Sequence, residues 1–526
     1  MAQLNLKKTV SPKRVFTAEE LKETHELHQM KAREWLFFQS IYEGIQSLLK
    51  YGFIERHERE SVKNWNKRQA NLFSFDYSQA IIDLFNFYQF KDPTTRKIPK
   101  KLSNDEQWQL FRDDANLYGD PLDEVMKEYS RKASIFGHMG VLVDKSSQTH
   151  ETKAQEKAAE VYPYLCAYTP RSILDWKFEK DENNRPYLAY LKLLDENDQY
   201  RIWYPEQWEI WEIQPLEDEE KKKLSVDGKP TPEEKAVMIA SSENPLEEIP
   251  FIWLYNIRSI RRFIGVSDIK SISYIDLSII RNLSQGEEVI EYAAFPMMRK
   301  PMKETGKGDS KDDVVGTKAV LEFDPELGED GKPDWLEAKT KDAVDSILEW
   351  IAKKVSEIYR ASNAGGMAAT EVQTQAKSGV ALRTEFQLLN SHLVDKGLSL
   401  QKAEKRIMYF WLKWQDLEDL MKEVEINAPK SYDIDNLAED LQNILTGRTI
   451  VKSKEFHIRL QKDVVRQMYP FLEEEEYNKI DKEIEKNTPD PVDILDAMDS
   501  MGDNSDENSN DDDDPLNKNK NSNNQE

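Results

Sequence analysis

Few residues in this chain stand where catalysis or metal binding would need them. His25 and His28 lie three residues apart in a helical pattern, with Glu26 between them, so both imidazoles would share a face. That spacing is not the HExxH pair that holds a zinc ion, and no third donor is suggested. Two solvated histidines are expected. No GxxxxGK[ST] run cradles a nucleotide phosphate, and the glycines of GKGDSKDDVVG match no dinucleotide-binding pattern. No GxSxG elbow carries a nucleophilic serine. The acidic runs 473–476 and 511–514 would attract cations but read as solvated charge. Cys166 is the one cysteine, which excludes an intramolecular disulfide and a cysteine-based zinc site. It reads as a half-buried small apolar residue in the strand YPYLCAY. The chain is therefore expected to be a non-enzyme with no cofactor.

At 526 residues it is long enough for two or more structural units. Apolar residues make up 39% and charged ones 33%, which suits a soluble protein with many solvated helix faces. No apolar run approaches the roughly 20 residues that cross a bilayer, so no membrane partner is expected. The N-terminal MAQLNLKKTVSPKRVF lacks the apolar core of a secretory signal. With a lone cysteine, these features fit a reducing cytoplasm. The formal charge is −25. Residues 501–526 hold eight acidic side chains against two lysines, so most of the excess belongs to the body of the chain. A protein that grips nucleic acid usually has a basic excess, and this one would repel DNA on average. That disfavours a sequence reader or a DNA condenser. It does not disfavour a surface past which DNA slides.

The elements that would position any site follow from periodicity. Residues 15–52 read as helix, opened by Thr17 and Glu20 in capping-box spacing. Helix continues over 58–90 and closes at KDPTTRKIPKK, a loop around Pro93 and Pro99. Two further helices, broken near Gly119 and Pro121, complete a helical part over 1–139. The region 140–264 is β-rich, with VLVD, VYPYLCAY, YLAYLKLLD, QYRIWYPEQWEIWEI and IPFIWLYN as strand candidates. Trp203, Trp208 and Ile210 alternate with polar neighbours, and five of the twelve tryptophans lie between Trp176 and Trp253. Packing is the expected cause, ahead of a ligand platform.

Downstream, Ile269, Ile272, Ile275, Ile279 and Leu283 step by three and four along one helical face, with Ser267 and Asp268 as candidate N-caps. Val344, Ile347, Ile351, Val355 and Ile358 repeat the pattern in a second helix. Between them, 295–340 alternates short strand-like pieces with Gly, Pro and charge, as an exposed small module. After the second helix NAGGMAATE cannot remain helical, because Gly365 and Gly366 dissolve the pattern. A long helix then runs from near Thr374 towards Trp414. Helices over 431–488 follow, and the acidic stretch beyond Pro489 has too little apolar content to fold.

The order helix, insert, helix, glycine loop, long helix resembles the portal proteins of tailed bacteriophages. The resemblance rests on GVSDIKSISYIDLSIIRNLSQGEEVIEYAAFPMM, AVDSILEWIAKKVSEIYRASNAGG and SGVALRTEFQLLNSHLVDKGLSLQKAEKRIMYFW. SIFGHMGVLVDK, YTPRSILDW and EEIPFIWLYN look like the family's wing signatures, so the likeness covers roughly 30–480. It implies an α+β, mainly helical portal fold assembled as a ring. Residues 1–139 and 140–264 would be the helical and β-rich parts of the wing, 265–294 and 341–362 the two stem helices, and 295–340 the clip. The tunnel loop would be 363–373, with Asn363, Ala364, Gly365, Gly366, Met367, Ala368, Ala369 and Thr370 narrowing the channel. Residues 374–430 would be the long wing helix, 431–488 the crown and 489–526 a disordered acidic tail.

By the same resemblance the chain forms a twelve-fold ring at one capsid vertex of the virion, after assembly in the host cytoplasm. Double-stranded DNA is packaged and ejected through it without sequence preference. Its implied partners are the terminase large subunit, adaptor and head-completion proteins, and the major capsid and scaffolding proteins. Lys353, Lys354 and Arg360 are candidate contacts for passing DNA, with pairing to acidic residues of a neighbouring subunit as the other reading. Met297, Met298, Met302, Phe323 and Trp335 are candidate clip anchors for partners, or for packing between subunits. The alternative is a helical scaffold or minor head protein without a DNA channel.

Overall fold

The computed structural model describes residues 10–146, 153–216, 233–294, 297–299, 334–336, 341–363, 379–429, 431–432, 453–468 and 474–488. It is an α+β protein in which helix outweighs strand. The chain divides into two compact units, 1–432 and 433–526. Most of the clip, the tunnel loop beyond Asn363 and the acidic tail expected from the sequence lie outside the described residues.

The first helical run is interrupted. Thr17 Oγ1 accepts from Glu20 N at 3.2 Å and the Glu20 carboxylate accepts from Thr17 N at 2.9 Å, completing the capping box. Helix Ala18–Lys22 then stops. Buried Lys192 Nζ donates to Glu20 O at 3.1 Å and Glu23 O at 2.6 Å, taking carbonyls that another turn would need. His25 starts the next helix, Glu26–Glu43, by accepting from Leu27 N through Nδ1 at 3.1 Å, and its ring stacks on Trp176 at 4.1 Å. His28 is buried, with Nε2 3.2 Å from Arg171 O, and burial lowers its pKa. The expected solvated histidines are instead part of the contact between the helical and β-rich regions.

Strand His138–Asp144 is buried at every position and sits between Tyr164–Tyr168 and Phe251–Tyr255 in an antiparallel sheet. Met139, Val141 and Val143 face helices Leu122–Phe136 and Gly379–Trp414, while Leu142 faces Trp176 and Phe251. On the helical side Trp411 meets Trp108 at 5.3 Å and Phe111 at 5.6 Å. Burial pushes the Cys166 thiol up to about 12, so it stays a neutral packing group.

A second sheet is an antiparallel meander of Ile173–Lys180, Pro186–Leu194, Tyr200–Trp203, Gln207–Pro215 and Glu234–Glu243. Its alternation falls one residue away from the expected phase: Gln207, Glu209 and Trp211 are buried, whereas Trp208 and Ile210 are half-buried. The N-terminal arm covers the polar-looking face. Lys13 N donates to Glu209 Oε1 at 2.8 Å, Ser241 Oγ donates to Val10 O at 2.8 Å, and Phe16 meets Trp211 edge-on at 5.4 Å. Gln207 and Trp211 also donate to Glu209, at 2.6 and 2.8 Å, which satisfies the buried carboxylate. The loop expected around Pro93 contains a three-residue strand, Thr95–Lys97, paired with Glu425–Asn427, too short to register as a pattern.

In the second unit, helices Lys454–Met468 and Glu474–Asn487 are joined by Lys462 to Glu485 at 2.6 Å and Arg466 to Asp481 at 3.4 Å.

Helix Leu122–Phe136 ends at Gly137, φ +91°, and the backbone at Gly265 crosses directly over it. A Cβ on Gly265 would lie 1.8 Å from Gly137 O, and one on Gly137 would lie 2.6 Å from Gly265 O. Gly137→Ala and Gly265→Ala should therefore each destabilise the chain by at least about 2 kcal/mol in urea titration. Gly52→Ala, also at positive φ but with open space around it, should cost only about 1 kcal/mol. Equal effects at all three positions would show that the crossing is not tight.

Candidate functional site: a helix pair and its buried anchor

Two helices leave the body side by side. Ser273–Ala294 and Lys341–Ala361 run antiparallel, since Gly286 faces Ile347 while Lys354 Nζ donates to Ser278 Oγ at 2.8 Å and to Asn282 Oδ1. At 1.5 Å per residue, 22 and 21 residues span about 33 and 32 Å. Their shared face holds Ile279, Ile280 and Leu283 against Ile351, Val355 and Ile358, all buried. Except for Ile280, these are positions that the spacing of three and four selects.

The first helix begins later than its sequence pattern, at Ser273, and its expected caps also bind elsewhere. Ser267 Oγ bridges Ser134 O and Ile135 O, at 3.1 and 2.6 Å, at the end of helix Leu122–Phe136, while accepting from Ile269 N at 3.2 Å. Asp268 N donates to Ser134 O at 3.0 Å. The Asp268 side chain is wholly buried: Oδ2 accepts from Lys396 Nζ at 2.6 Å, and Oδ1 from Asn256 Nδ2 at 2.6 Å and His392 Nε2 at 3.0 Å. Lys396 also donates to Ser134 Oγ at 2.8 Å and lies 5.4 Å over the Phe85 ring. Burial alone would push the Asp268 carboxyl up, but the Lys396 ammonium and His392 overcome it and hold it well below the usual carboxylate range. One carboxylate thereby joins the root of the helix pair to helix Leu122–Phe136, to the end of strand Phe251–Tyr255 and to the long helix Gly379–Trp414.

The sequence-nominated residues fare differently. Lys353 is exposed and has no ion pair among the described residues. Lys354 bridges the two helices, lies 5.3 Å over Trp350, and has its pKa lowered by burial. Arg360 pairs within its own helix with Glu357 at 2.6 Å. Asn363 holds φ +59° after the second helix, and Ala364–Thr370 lie outside the described residues. Met297–Arg299 pairs antiparallel with Asp334–Leu336, which brings Met298 opposite Trp335 and Met297 opposite Leu336, whereas Met302 and Phe323 lie outside. The Asp268 cluster was not found from sequence. Its signal was Lys396, which occupies a slot in the apolar stripe Leu389, Leu393, Leu400, Ala403 and Ile407.

Three solved structures are similar to this chain at a low level. The neck of an empty gene transfer agent (GTA) particle, computed with C6 symmetry, matches with a TM-score of 0.43 and 10% identity over 77% of this chain and 95% of that one. The virion of a native GTA particle gives 0.42 and 10% over 81% and 98%. The neck of a native GTA particle computed with C12 symmetry gives 0.41 and 11% over 73% and 89%. Likenesses at this level define no family. No family model and no curated protein matches the chain. Among the described residues, no helix is long and apolar enough to cross a membrane.

Two predictions follow from the anchor. Asp268→Asn or Lys396→Met alone leaves a buried charge or donor unpaired and should cost about 3–5 kcal/mol. The double variant should cost less than the sum, a coupling read from a denaturant double-mutant cycle, and additive costs would show that the pair is not coupled. The second concerns acid. His138 is fully buried beside the crossing, accepts from Gly265 N at 3.2 Å, and is pushed by burial from 6.5 down to about 3. Below pH 6.5 the unfolded chain takes up a proton there that the folded chain does not. This stabilisation is therefore complete above about pH 6.5 and declines as pH falls towards 3, at up to about 1.4 kcal/mol per pH unit. His138→Asn should flatten the fall in stability between pH 7 and 5, and an unchanged slope would assign that fall to other groups.

Proposed function

We propose that the chain is a portal-type subunit: a non-enzymatic ring former at one capsid vertex through which double-stranded DNA enters and leaves. The observation that carries this reading is the outer surface of the helix pair. Leu348 is 56% exposed and Trp350 54%, and on the partner helix Ile290 is 47% and Tyr274 60% exposed. The two helices have already closed their mutual apolar face. Although Tyr274 touches Phe37 and Trp350 carries Lys354 over its ring, over half of Leu348, Trp350 and Tyr274 and nearly half of Ile290 remain uncovered by the described residues. Fully burying one such side chain contributes about 1.5–3 kcal/mol. A ring of identical subunits is an arrangement that covers them in every copy, because a head-to-tail contact with closing rotation leaves no free end.

Other features agree. Helices of about 32–33 Å are long enough to line a channel. Of the three nominated cations only Lys353 is free among the described residues, which favours sliding DNA over gripped DNA. In this reading the clip docks the terminase large subunit and later the adaptor and head-completion proteins, while other faces meet the major capsid and scaffolding proteins.

The test is particle mass by multi-angle scattering with rotational symmetry by negative-stain microscopy. A closed ring is expected, twelve-fold in the virion. Leu348→Ser with Trp350→Ser should weaken assembly by about 2 kcal/mol or more per interface, roughly 30-fold in concentration, with unchanged helicity. A chain that remains monomeric at every concentration, and is absent from virions, would overturn the proposal.

A further inference from the structure

One hairpin runs against the charge of the rest of the chain. Ile257–Arg258 pairs with Gly265–Val266, and residues 259–264 form the tip. Arg258, Arg261 and Arg262 are exposed, and none has a carboxylate partner among the described residues. By contrast, acids clamp Arg68, Arg96 and Arg201 in the body of the protein. Arg258 lies 5.3 Å over Tyr255, and Arg261 reaches the Met30 sulfur. Ile260 stands between them fully in solvent, at 105% exposure.

The base of this tip is packed among aromatic rings. Phe263 stacks on Phe178 at 4.5 Å and 13°, next to Trp176 and Trp253, and holds φ +65°. A cavity of about 400 Å³ flanks one side, lined by Phe178, Pro186, Tyr255 and Arg262. Another of about 440 Å³ flanks the other, lined by Met30, Trp35, Phe38 and Lys270. A projecting apolar residue among planar cations, beside aromatic hollows, has the make-up of a protein contact. A track for phosphates would need the cations but not Ile260.

We propose that hairpin 257–266 is a docking knob for the acidic surface of a second copy of this chain. The inference rests on the ring reading and extends it to a particular contact. Charge complementarity selects the occupant. Each copy carries −25, guanidinium groups pair with carboxylates through two parallel hydrogen bonds, and in a ring the neighbouring copy is the acidic surface present at high effective concentration. The contact is salt-sensitive, because its charges are exposed.

The test is sedimentation velocity of the full chain at low and high salt. The proteins compared are wild type, Arg258→Ser/Arg261→Ser/Arg262→Ser, Ile260→Ser, and the same three arginines changed to lysine. The serine variants should need at least about tenfold more protein to assemble, with unchanged melting. The lysine variant should fall between them and wild type, and wild-type assembly should weaken with salt. Serine variants that assemble as wild type does would overturn the knob while leaving the ring reading intact. A monomeric wild type would overturn both. A fluorescent 30-base-pair duplex, added as probe, gives a third outcome: duplex binding lost in the triple variant with assembly unchanged would assign the arginines to phosphate and overturn the proposal.

Discussion

The buried pair Asp268 and Lys396 determines how the rest of the first unit is put together. Removing two charges from water is costly, and such a pair persists only when geometry and further hydrogen bonds compensate. Here the compensation is complete around the carboxylate, with Lys396 on one oxygen and Asn256 and His392 on the other. Partners separated by more than 120 residues must reach one point. Strand Phe251–Tyr255, helix Leu122–Phe136, the long helix and the segment entering the helix pair therefore cannot shift independently. The Gly137 and Gly265 crossing beside it makes the same demand sterically, since neither backbone leaves room for a Cβ. Together they fix where the helix pair leaves the body, and with it where the exposed Leu348 and Trp350 are presented.

Legibility in the sequence tracked the kind of force involved. Apolar burial has a period, so Ile269, Ile272, Ile279 and Leu283 could be assigned to a buried face and are buried. Polar groups have no such period once a distant partner captures them. Ser267 and Asp268 look like caps by type, and Ser267 does accept from Ile269 N, yet its hydroxyl also satisfies another helix end and the Asp268 carboxylate goes to a lysine far along the chain. His25 and His28 were misread for the same reason, with Trp176 and Arg171 supplying the contacts. The phase of the Gln207–Pro215 strand was misread because an arm from residues 10–16 supplies a polar lid that alternation cannot foresee. The one legible trace of the anchor was negative, a lysine at an apolar position.

The nominated site residues show the same division. Lysines at neighbouring positions 353 and 354 look equivalent in sequence, but helix geometry turns them about 100° apart. Lys354 thus points at the partner helix and binds Ser278 and Asn282, while Lys353 faces solvent. Arg360 is matched within its own helix by Glu357, at little energetic gain for so exposed a pair. Charge count alone would have assigned all three the same role.

Charge sign can then be read by location instead of by total. Inside the body, basic side chains serve acids: Arg68 with Glu60, Arg96 with Asp123 and Glu404, Arg201 with Asp144 and Asp195. These pairs neutralise buried charge and leave the net charge of −25 to the other residues, a sign that repels a phosphate backbone on average. Among the described residues, the exposed cations without an ion pair include the three arginines of the 257–266 hairpin and Lys353. The first combines cations with an exposed apolar residue, and the second is an isolated charge on a solvated helix face. An interface needs apolar contact to exclude water around its charges, whereas a transient contact with moving DNA works better without it. These two places thus differ in the apolar contact that, in the proposed portal reading, separates holding from sliding.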